Sequence, residues 1–282
     1  MSDDTTGVLT LDVAGVSAGL VRPGSLWREV RAVAETGSSN ADLLAAAGAG
    51  AAEGTVLVAE TQTAGRGRLG RRWASPPRAG LTFSVLLRPD GVPAVLLGWL
   101  PLLAGVAAVA SVRAVTAVDA TLKWPNDILV GERKLGGILA ERAGAAVVVG
   151  VGINVWQTRA DLPPDAAATS LALAAGAEVT GRGLRERLLA SLLDELGRRY
   201  ESWRDQASPG DADACGLRRE YVRRCATLGR EVTVTMPGTE PVTGTATGVD
   251  RAGRLEVSTT GGTVAVTAGD VVHVRPVNGA GY

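Results

Sequence analysis

The chain is poor in the residues that build disulfide frameworks, metal centres and basic nucleic-acid surfaces. Its 282 residues include two cysteines, Cys215 and Cys225, and one histidine, His273. Two thiols without paired spacing support neither a disulfide scaffold nor a zinc finger, and a lone imidazole counts against a histidine-rich metal site. Charge of one sign is also missing. The 29 basic residues are balanced by 29 acidic ones, which excludes a bulk electrostatic binder of nucleic acid and leaves only a local patch. Residues 1–28 show no basic segment followed by an apolar one, so no secretory leader is read there. They are also too few for a helix-turn-helix domain. What remains is a globular protein of a reducing, cytoplasmic compartment, long enough for one large domain or an ordinary one with a small companion.

Lysine is the next scarcity. Of the 29 basic residues only Lys123 and Lys134 are lysines, and the chain has four asparagines, three isoleucines and one phenylalanine. Alanine, glycine, valine, leucine and arginine dominate, the mark of GC-rich coding. A compact, titratable amine is not replaceable by a planar guanidinium at every site. Both lysines, Asn126, Asn154 and all three isoleucines lie between 123 and 154, so that segment is where a substitute would not serve.

Periodicity supplies the elements. Ser38, Ser39 and Asn40 offer capping side chains before an Ala/Leu-rich run, predicting a helix over 38–53. Apolar runs at 55–59, 81–87, 121–123, 127–130, 136–140 and 146–152 read as strands. Residues 92–118 form a long apolar helix, broken or kinked at Pro101. Its uncharged stretch from Val92 to Val112 is long enough to span a bilayer. Its two prolines and lack of a basic flank on one side favour a core helix instead. Residues 184–206 carry a leucine stripe of helical period. After about residue 225, Val/Thr alternation between turns at Pro237-Gly238, Asp250–Gly253 and Gly261-Gly262 predicts a small barrel or sandwich.

Between the first two strands lies Gly65-Arg66-Gly67-Arg68-Leu69-Gly70-Arg71-Arg72-Trp73. Gly65, Gly67 and Gly70 formally match a dinucleotide fingerprint, yet the continuation through Pro76-Pro77 cannot open the helix that such a site requires. Four arginines and three glycines instead suit a loop that closes on a phosphate-bearing ligand, with backbone N–H groups and bidentate guanidinium groups facing the anion. A solvated basic loop, or one that touches nucleic acid nonspecifically, is the alternative.

The second constellation is Lys123-Trp-Pro-Asn126-Asp127, then Lys134-Leu-Gly136-Gly137-Ile-Leu-Ala-Glu141, then Gly152-Ile-Asn154. With the Gly/Arg loop ending in Trp73, these four motifs resemble those of the biotin protein ligases, in order and at family-like spacing. The resemblance implies an α+β fold: a mixed or antiparallel sheet of the biotin/lipoate ligase type flanked by helices, plus a small C-terminal SH3-like β-barrel. The corresponding boundaries are a flexible tail at 1–28, a catalytic domain at 29–224 and the barrel at 225–282.

It also implies ATP-dependent activation of biotin as biotinyl-5'-AMP, with Mg²⁺ at the phosphates, and transfer to a lysine of a biotin carboxyl carrier domain such as that of acetyl-CoA carboxylase. The family's DNA-binding N-terminal domain has no counterpart here, so the expectation is a ligase without repressor function, no DNA or membrane partner, and a monomer or weak homodimer. In the roles so implied, Ser38, Ser39, Asn40 and Gln62 hold the biotin ring system. Gly65, Arg66, Gly67 and Arg68 close over biotin and the adenylate phosphate. Lys134, with Gly136 and Gly137, reaches the biotin carboxylate and bridging oxygen. Arg68, Arg71, Trp73, Asn126, Lys134 and Asn154 meet the nucleotide. Asp127 faces the acceptor lysine. Lys134, Arg68 and Asp127 are thus the catalytic candidates, and no metal ligands are assigned.

Blander readings stand beside these. Ser38–Asn40 alternatively form only a helix cap, Asp127 only a turn cap, and Trp73 a core aromatic. Lys123 is read as structural or ATP-adjacent, Glu141 as an ordinary surface or salt-bridge residue, and His273 and the cysteines as structural. A lipoate or octanoate ligase of the same fold, and a nonenzymatic nucleic-acid-binding module, are the competing functions.

Overall fold

In a computed structural model that describes residues 11–163, 167–175, 183–236, 238–267 and 269–273, the apolar runs become strands and the leucine stripe a helix. The order is α1 (Val13–Leu20), β1 (Glu29–Val33), α2 (Ser39–Gly48), β2 (Thr55–Ala59), β3 (Gly80–Leu87), α3 (Trp99–Thr116), β4 (Thr121–Lys123), β5 (Asp127–Val130), β6 (Arg133–Ala143) and β7 (Ala146–Asn154). There follow α4 (Leu171–Ala175), α5 (Leu184–Arg204), α6 (Leu217–Arg224), β8 (Glu231–Thr235), β9 (Val242–Val249), β10 (Leu255–Thr259), β11 (Gly262–Val266) and β12 (Asp270–His273).

Seven strands form one sheet in the order β1-β2-β3-β7-β6-β5-β4. β1 and β2 run parallel and the other neighbours antiparallel, so the expected mixed sheet is present. Its two faces explain the unbroken apolar run of β7. Val147, Val149, Val151 and Ile153 point into the main core with α3 and α5, whereas Val148 packs with Leu43 of α2, Leu57 and Leu86 in a second, smaller cluster. A strand covered on both sides cannot alternate apolar with polar. Further along the α2 face, β7 carries Gly150 and Gly152 in place of side chains. That bare strip is where the candidate site lies.

Three expectations need correction. The tail at 1–28 is a folded segment wherever it is described: Asp12 caps α1, Val16, Leu26 and Trp27 are buried, and the Leu11 amide donates to Glu60 Oε1 at 2.6 Å. Residues 1–10 of that tail lie outside the described residues. An eight-residue helix is too short to show a periodic stripe. The long apolar helix is not broken at Pro101. It starts at Trp99 after a 3₁₀ turn at Ala94–Leu96, so Pro101 sits in the first turn, where its missing N–H costs nothing. Although long and apolar enough to cross a membrane, α3 is largely buried inside the molecule. Finally, α2 ends at Gly48 rather than 53.

The five remaining strands form an antiparallel sheet, β11-β10-β9-β8-β12, as the barrel expectation requires; Pro237 of one expected turn lies outside the described residues. Two tryptophans clasp this sheet to the first. Trp99 Nε1 donates to the Arg251 carbonyl at 2.8 Å and Trp124 Nε1 to that of Gly253 at 3.1 Å, while the Trp124 amide donates to Thr227 Oγ1 at 3.0 Å. Trp124, 1% exposed, is therefore an anchor between the two sheets.

Candidate functional site

Register brings the site together. Ser84 of β3 pairs with Gly150 of β7, which pairs with Leu139 of β6; one pleat on, Thr82, Gly152, Gly137 and Asp127 line up across four strands. Both rows face α2. Over the first lies Asn40: a Cβ at Gly150 would stand 2.2 Å from its Oδ1. Over the second lies the Trp73 indole, which a Cβ at Gly152 would meet at 2.4 Å. The two glycines are required by close approach, one beneath an amide and the other beneath a ring.

The floor is a closed hydrogen-bonded network. Ser38 does cap α2, its Oγ accepting from the Ala41 amide at 3.5 Å, so the capping reading holds for Ser38. Ser39 and Asn40 do more. The Ser39 amide donates to Gln62 Oε1 at 2.8 Å, and Ser39 Oγ lies 2.7 Å from Ser84 Oγ. Ser84 Oγ donates to Asn40 Oδ1 at 2.6 Å. Asn40 Nδ2 donates to the Leu139 carbonyl at 3.1 Å and to Glu141 Oε2 at 2.8 Å. Ser39, Asn40 and Ser84 are buried, where unpaired polar groups would be costly. Gln62 Nε2 has no partner among the described residues, which leaves a donor for a ligand.

The loop that covers the floor has a defined shape. The Trp73 amide donates to the Gly65 carbonyl at 2.9 Å and the Gly67 amide to that of Arg71 at 2.7 Å. A Cβ at Gly65 would fall 2.3 Å from the Trp73 carbonyl oxygen, which accounts for that glycine. Its arginines reach in three directions. Arg66 pairs with Glu141 at 3.0 Å, and Arg71 forms an ion pair with Asp270 of the second sheet. Arg68 donates to Asn126 Oδ1 at 3.2 Å and to the Gly269 carbonyl at 3.3 Å. Burial draws the Arg68 guanidinium below its ordinary value, with Asp127 opposing the shift.

Lys134 Nζ lies 2.5 Å from Asp127 Oδ1, so two of the three catalytic candidates face each other. Asn126 Nδ2 also donates to the Ile138 carbonyl at 3.0 Å. Ser38, Ser39, Asn40, Gln62, Arg66, Gly67, Arg68, Arg71, Trp73, Asn126, Asp127, Lys134 and Gly137 all line one cavity of about 120 Å³. Three candidates do not line it. Gly65 is buried at the base of the loop, where its carbonyl accepts from the Trp73 amide. Gly136 backs onto β7, where a Cβ would stand 2.5 Å from the Gly152 carbonyl oxygen. Asn154 is buried, donating to the Thr169 carbonyl at 2.9 Å and accepting from Gln157 Nε2 at 3.2 Å.

Asn154 belongs to an adjoining cleft of about 780 Å³, which shares Arg72, Trp73, Asp127 and Lys134 with the first cavity and adds Lys123, Arg230 and His273. Burial, reinforced by Lys134 and Arg71 and opposed by Asp127, draws the Lys123 amine below its ordinary value.

Sequence reasoning missed Ser84 and passed over Glu141. Ser84 had one weak signal, a hydroxyl that with Thr82 interrupts the apolar run 81–87. Glu141 does form a salt bridge, but it also holds a floor residue. Asp270 had no signal, because its partner, Arg71, lies on a loop far away in the chain.

Against known proteins, residues 45–155 match the family model described as "Biotin/lipoate A/B protein ligase family", and residues 227–274 match "Biotin protein ligase C terminal domain". The chain is 46% identical over 269 residues to the biotin--[acetyl-CoA-carboxylase] ligase of Mycobacterium tuberculosis, covering 94% of this chain and 96% of that protein. It is 30% identical to the ligase of the same name from Paracoccus denitrificans, covering 85% and 98%. The biotin protein ligase from Aquifex aeolicus in complex with biotin and ATP superposes with a TM-score of 0.74 at 28% identity, covering 88% of this chain and all of that one.

Proposed function

The chain belongs to the biotin protein ligases, and from that premise we propose how its own residues divide the work of an ATP-dependent ligase. The enzyme activates biotin as biotinyl-5'-AMP with release of pyrophosphate, then transfers the biotinyl group to a lysine of a biotin carboxyl carrier domain. The acceptor is that of acetyl-CoA carboxylase.

The ureido ring of biotin offers N–H donors and a carbonyl acceptor. The floor answers with hydroxyl and amide groups whose orientations are already fixed: Ser39, Asn40 and the free Gln62 Nε2. The valerate carboxylate then runs beneath the loop to Lys134. Adenylation sets this anion against the α-phosphate, and the carboxylate oxygen forms a bond to phosphorus as pyrophosphate departs. Lys134, Arg68 and Arg71 offset the accumulated charge in a partly dry site. Trp73, seated on Gly152, offers its face to adenine, and Asn126 holds Arg68 toward the phosphate.

Mg²⁺ fits this site as a companion of the phosphates rather than a caged ion. Asp127, Glu141 and Asp270 each already face a cation, and no group of three acidic or His/Cys side chains gathers among the described residues. Mg²⁺ commonly keeps waters and leans on substrate oxygens, and when bound it would neutralise the departing pyrophosphate.

In the second half-reaction the acceptor amine attacks the acyl carbon and AMP leaves. As Lys134 turns to the ligand, Asp127 is released to take the amine's proton. The closed loop keeps water from the mixed anhydride meanwhile. Neutral overall charge and loop arginines engaged with Glu141, Asp270 and Asn126 support a ligase without a DNA partner. Unpaired cysteines and dependence on ATP support a cytoplasmic setting.

The observation that carries the reading is the single cavity shared by the floor, the loop and the Lys134–Asp127 pair. Its test is pyrophosphate–ATP exchange. Biotin should stimulate exchange, and Lys134→Ala should lower it about 100- to 1000-fold, the usual cost of losing a charge-stabilising donor. Stimulation by lipoate or octanoate in place of biotin would reassign the substrate.

A further inference from the structure

The polar floor and the arginine loop are joined by one side chain that carries no role in the mechanism above. Glu141 stands on the site face of β6, with Oε2 on Asn40 Nδ2 at 2.8 Å and Oε1 on Arg66 Nη1 at 3.0 Å. Its two oxygens therefore serve two different parts of the site.

The Asn40 end decides an orientation. An asparagine amide has nearly equal ends, and its surroundings determine which way it faces. Here Oδ1 meets the Ser84 hydroxyl, which donates to it, while Nδ2 meets two acceptors, the Leu139 carbonyl and the Glu141 carboxylate. A flipped amide would set its oxygen against both acceptors. From Asn40 the chain of hydroxyls continues through Ser84 to Ser39, so the orientation fixed at Glu141 is transmitted to both serines, while Gln62 Oε1 is held by the Ser39 backbone amide.

The Arg66 end is a latch. Its partners are 43% and 24% exposed as side chains, and a pair so wetted contributes little by itself. That is what a loop which must open for product release needs. We infer that Glu141 is a positioning residue that couples the two parts, fixing the Asn40 amide for biotin recognition with one oxygen and holding the loop shut over the adenylate with the other. The inference rests on the proposed biotin floor.

The two ends can be separated by mutation. Glu141→Gln keeps a carbonyl oxygen for Asn40 but loses the charge that attracts Arg66. Glu141→Ala removes both. Biotin KM from pyrophosphate–ATP exchange reads the floor, and the release rate of preformed biotinyl-AMP, chased with unlabelled biotin and ATP, reads the latch. Glu141→Ala should raise biotin KM about tenfold, as for leaving the buried Asn40 amide without its charged acceptor, and speed release about threefold to fivefold. Glu141→Gln should speed release with biotin KM nearly unchanged. In an Arg66→Ala background, Glu141→Ala should still raise KM but no longer affect release.

Equal KM and release in wild type and Glu141→Ala, with Asn40→Ala raising biotin KM, would overturn the coupling and leave the floor intact. An unchanged biotin KM in Asn40→Ala would overturn the floor itself, and the inference with it. Thermal unfolding of each variant guards against a trivial loss of structure, and Glu141→Gln, nearly isosteric, carries the test should Glu141→Ala fail to fold.

Discussion

The floor of the site and the loop above it are both polar, yet they are built on opposite terms. In the floor, Ser39, Asn40 and Ser84 are buried and joined by hydrogen bonds anchored on strands and a helix, with the Glu141 carboxylate at one end. In the loop, four arginines sit on a turn, and the ion pairs of two of them, Arg66 to Glu141 and Arg71 to Asp270, have partly exposed members. A buried polar network is costly to leave incomplete and so keeps one geometry. Exposed ion pairs are worth about 0–1 kcal/mol each, so the loop is tethered but movable. Recognition belongs where geometry is fixed and retention where it can be released.

The sharpest way to break this comparison uses two glycines of one strand. Gly150 lies beneath Asn40 and Gly152 beneath Trp73, and neither neighbour can withdraw freely: Asn40 is bonded at both ends and Trp73 Nε1 donates to Thr82 Oγ1 at 3.4 Å. Overpacking of this kind costs about 1–3 kcal/mol. Gly150→Ala is therefore expected to raise biotin KM about 10- to 100-fold with a much smaller change in ATP KM. Gly152→Ala should do the reverse. Equal effects on both substrates from both variants would show that floor and nucleotide wall are not separate structures.

How much of this was legible beforehand follows from the range of each contact. β2, β3 and the leucine stripe of α5 show in the sequence because their signals lie within a few residues. The Gly/Arg loop and the Lys134 segment show because each carries several site residues in one run. The links between runs do not show. Ser84 reaches Asn40 across 44 residues, and Glu141 reaches it across 101. Such pairs arise from strand register, which a one-dimensional reading cannot supply. Pro101 misled for the opposite reason: its local rule was right, but the helix start that excuses it was misplaced.

A gentler probe of the same comparison is Asp270, which ties the loop to the second sheet through Arg71. Asp270→Ala removes one half-exposed tether and leaves the floor untouched. The expected result is a rise of about twofold to fivefold in ATP KM, erased by 0.5 M salt in the wild type as well, with biotin KM unchanged. A large loss of biotin affinity would mean that the second sheet shapes the floor, and the division drawn between the two regions would fail.

The smallest effect concerns stability at the outer rim, where His273 of β12 lies within 3.2 Å of Thr227 Oγ1 and 3.5 Å of Arg230 Nη1. Burial, together with the charges of Lys123 and Arg230, lowers its pKa to about 4. An unfolded chain holds histidine near 6.5, so below that pH the unfolded state takes up the proton first. The folded state must then lose stability as pH falls from about 6.5 toward 4, and no further through this group once both states are protonated. Because the imidazole keeps solvent contact, the loss is about 1 kcal/mol, a few degrees in Tm for a chain of this size. Thermal unfolding of wild type and His273→Gln between pH 7 and pH 4.5 should show the wild type falling more steeply. Parallel curves would mean that the rim is loose enough to admit the proton, as the loop is and the floor is not.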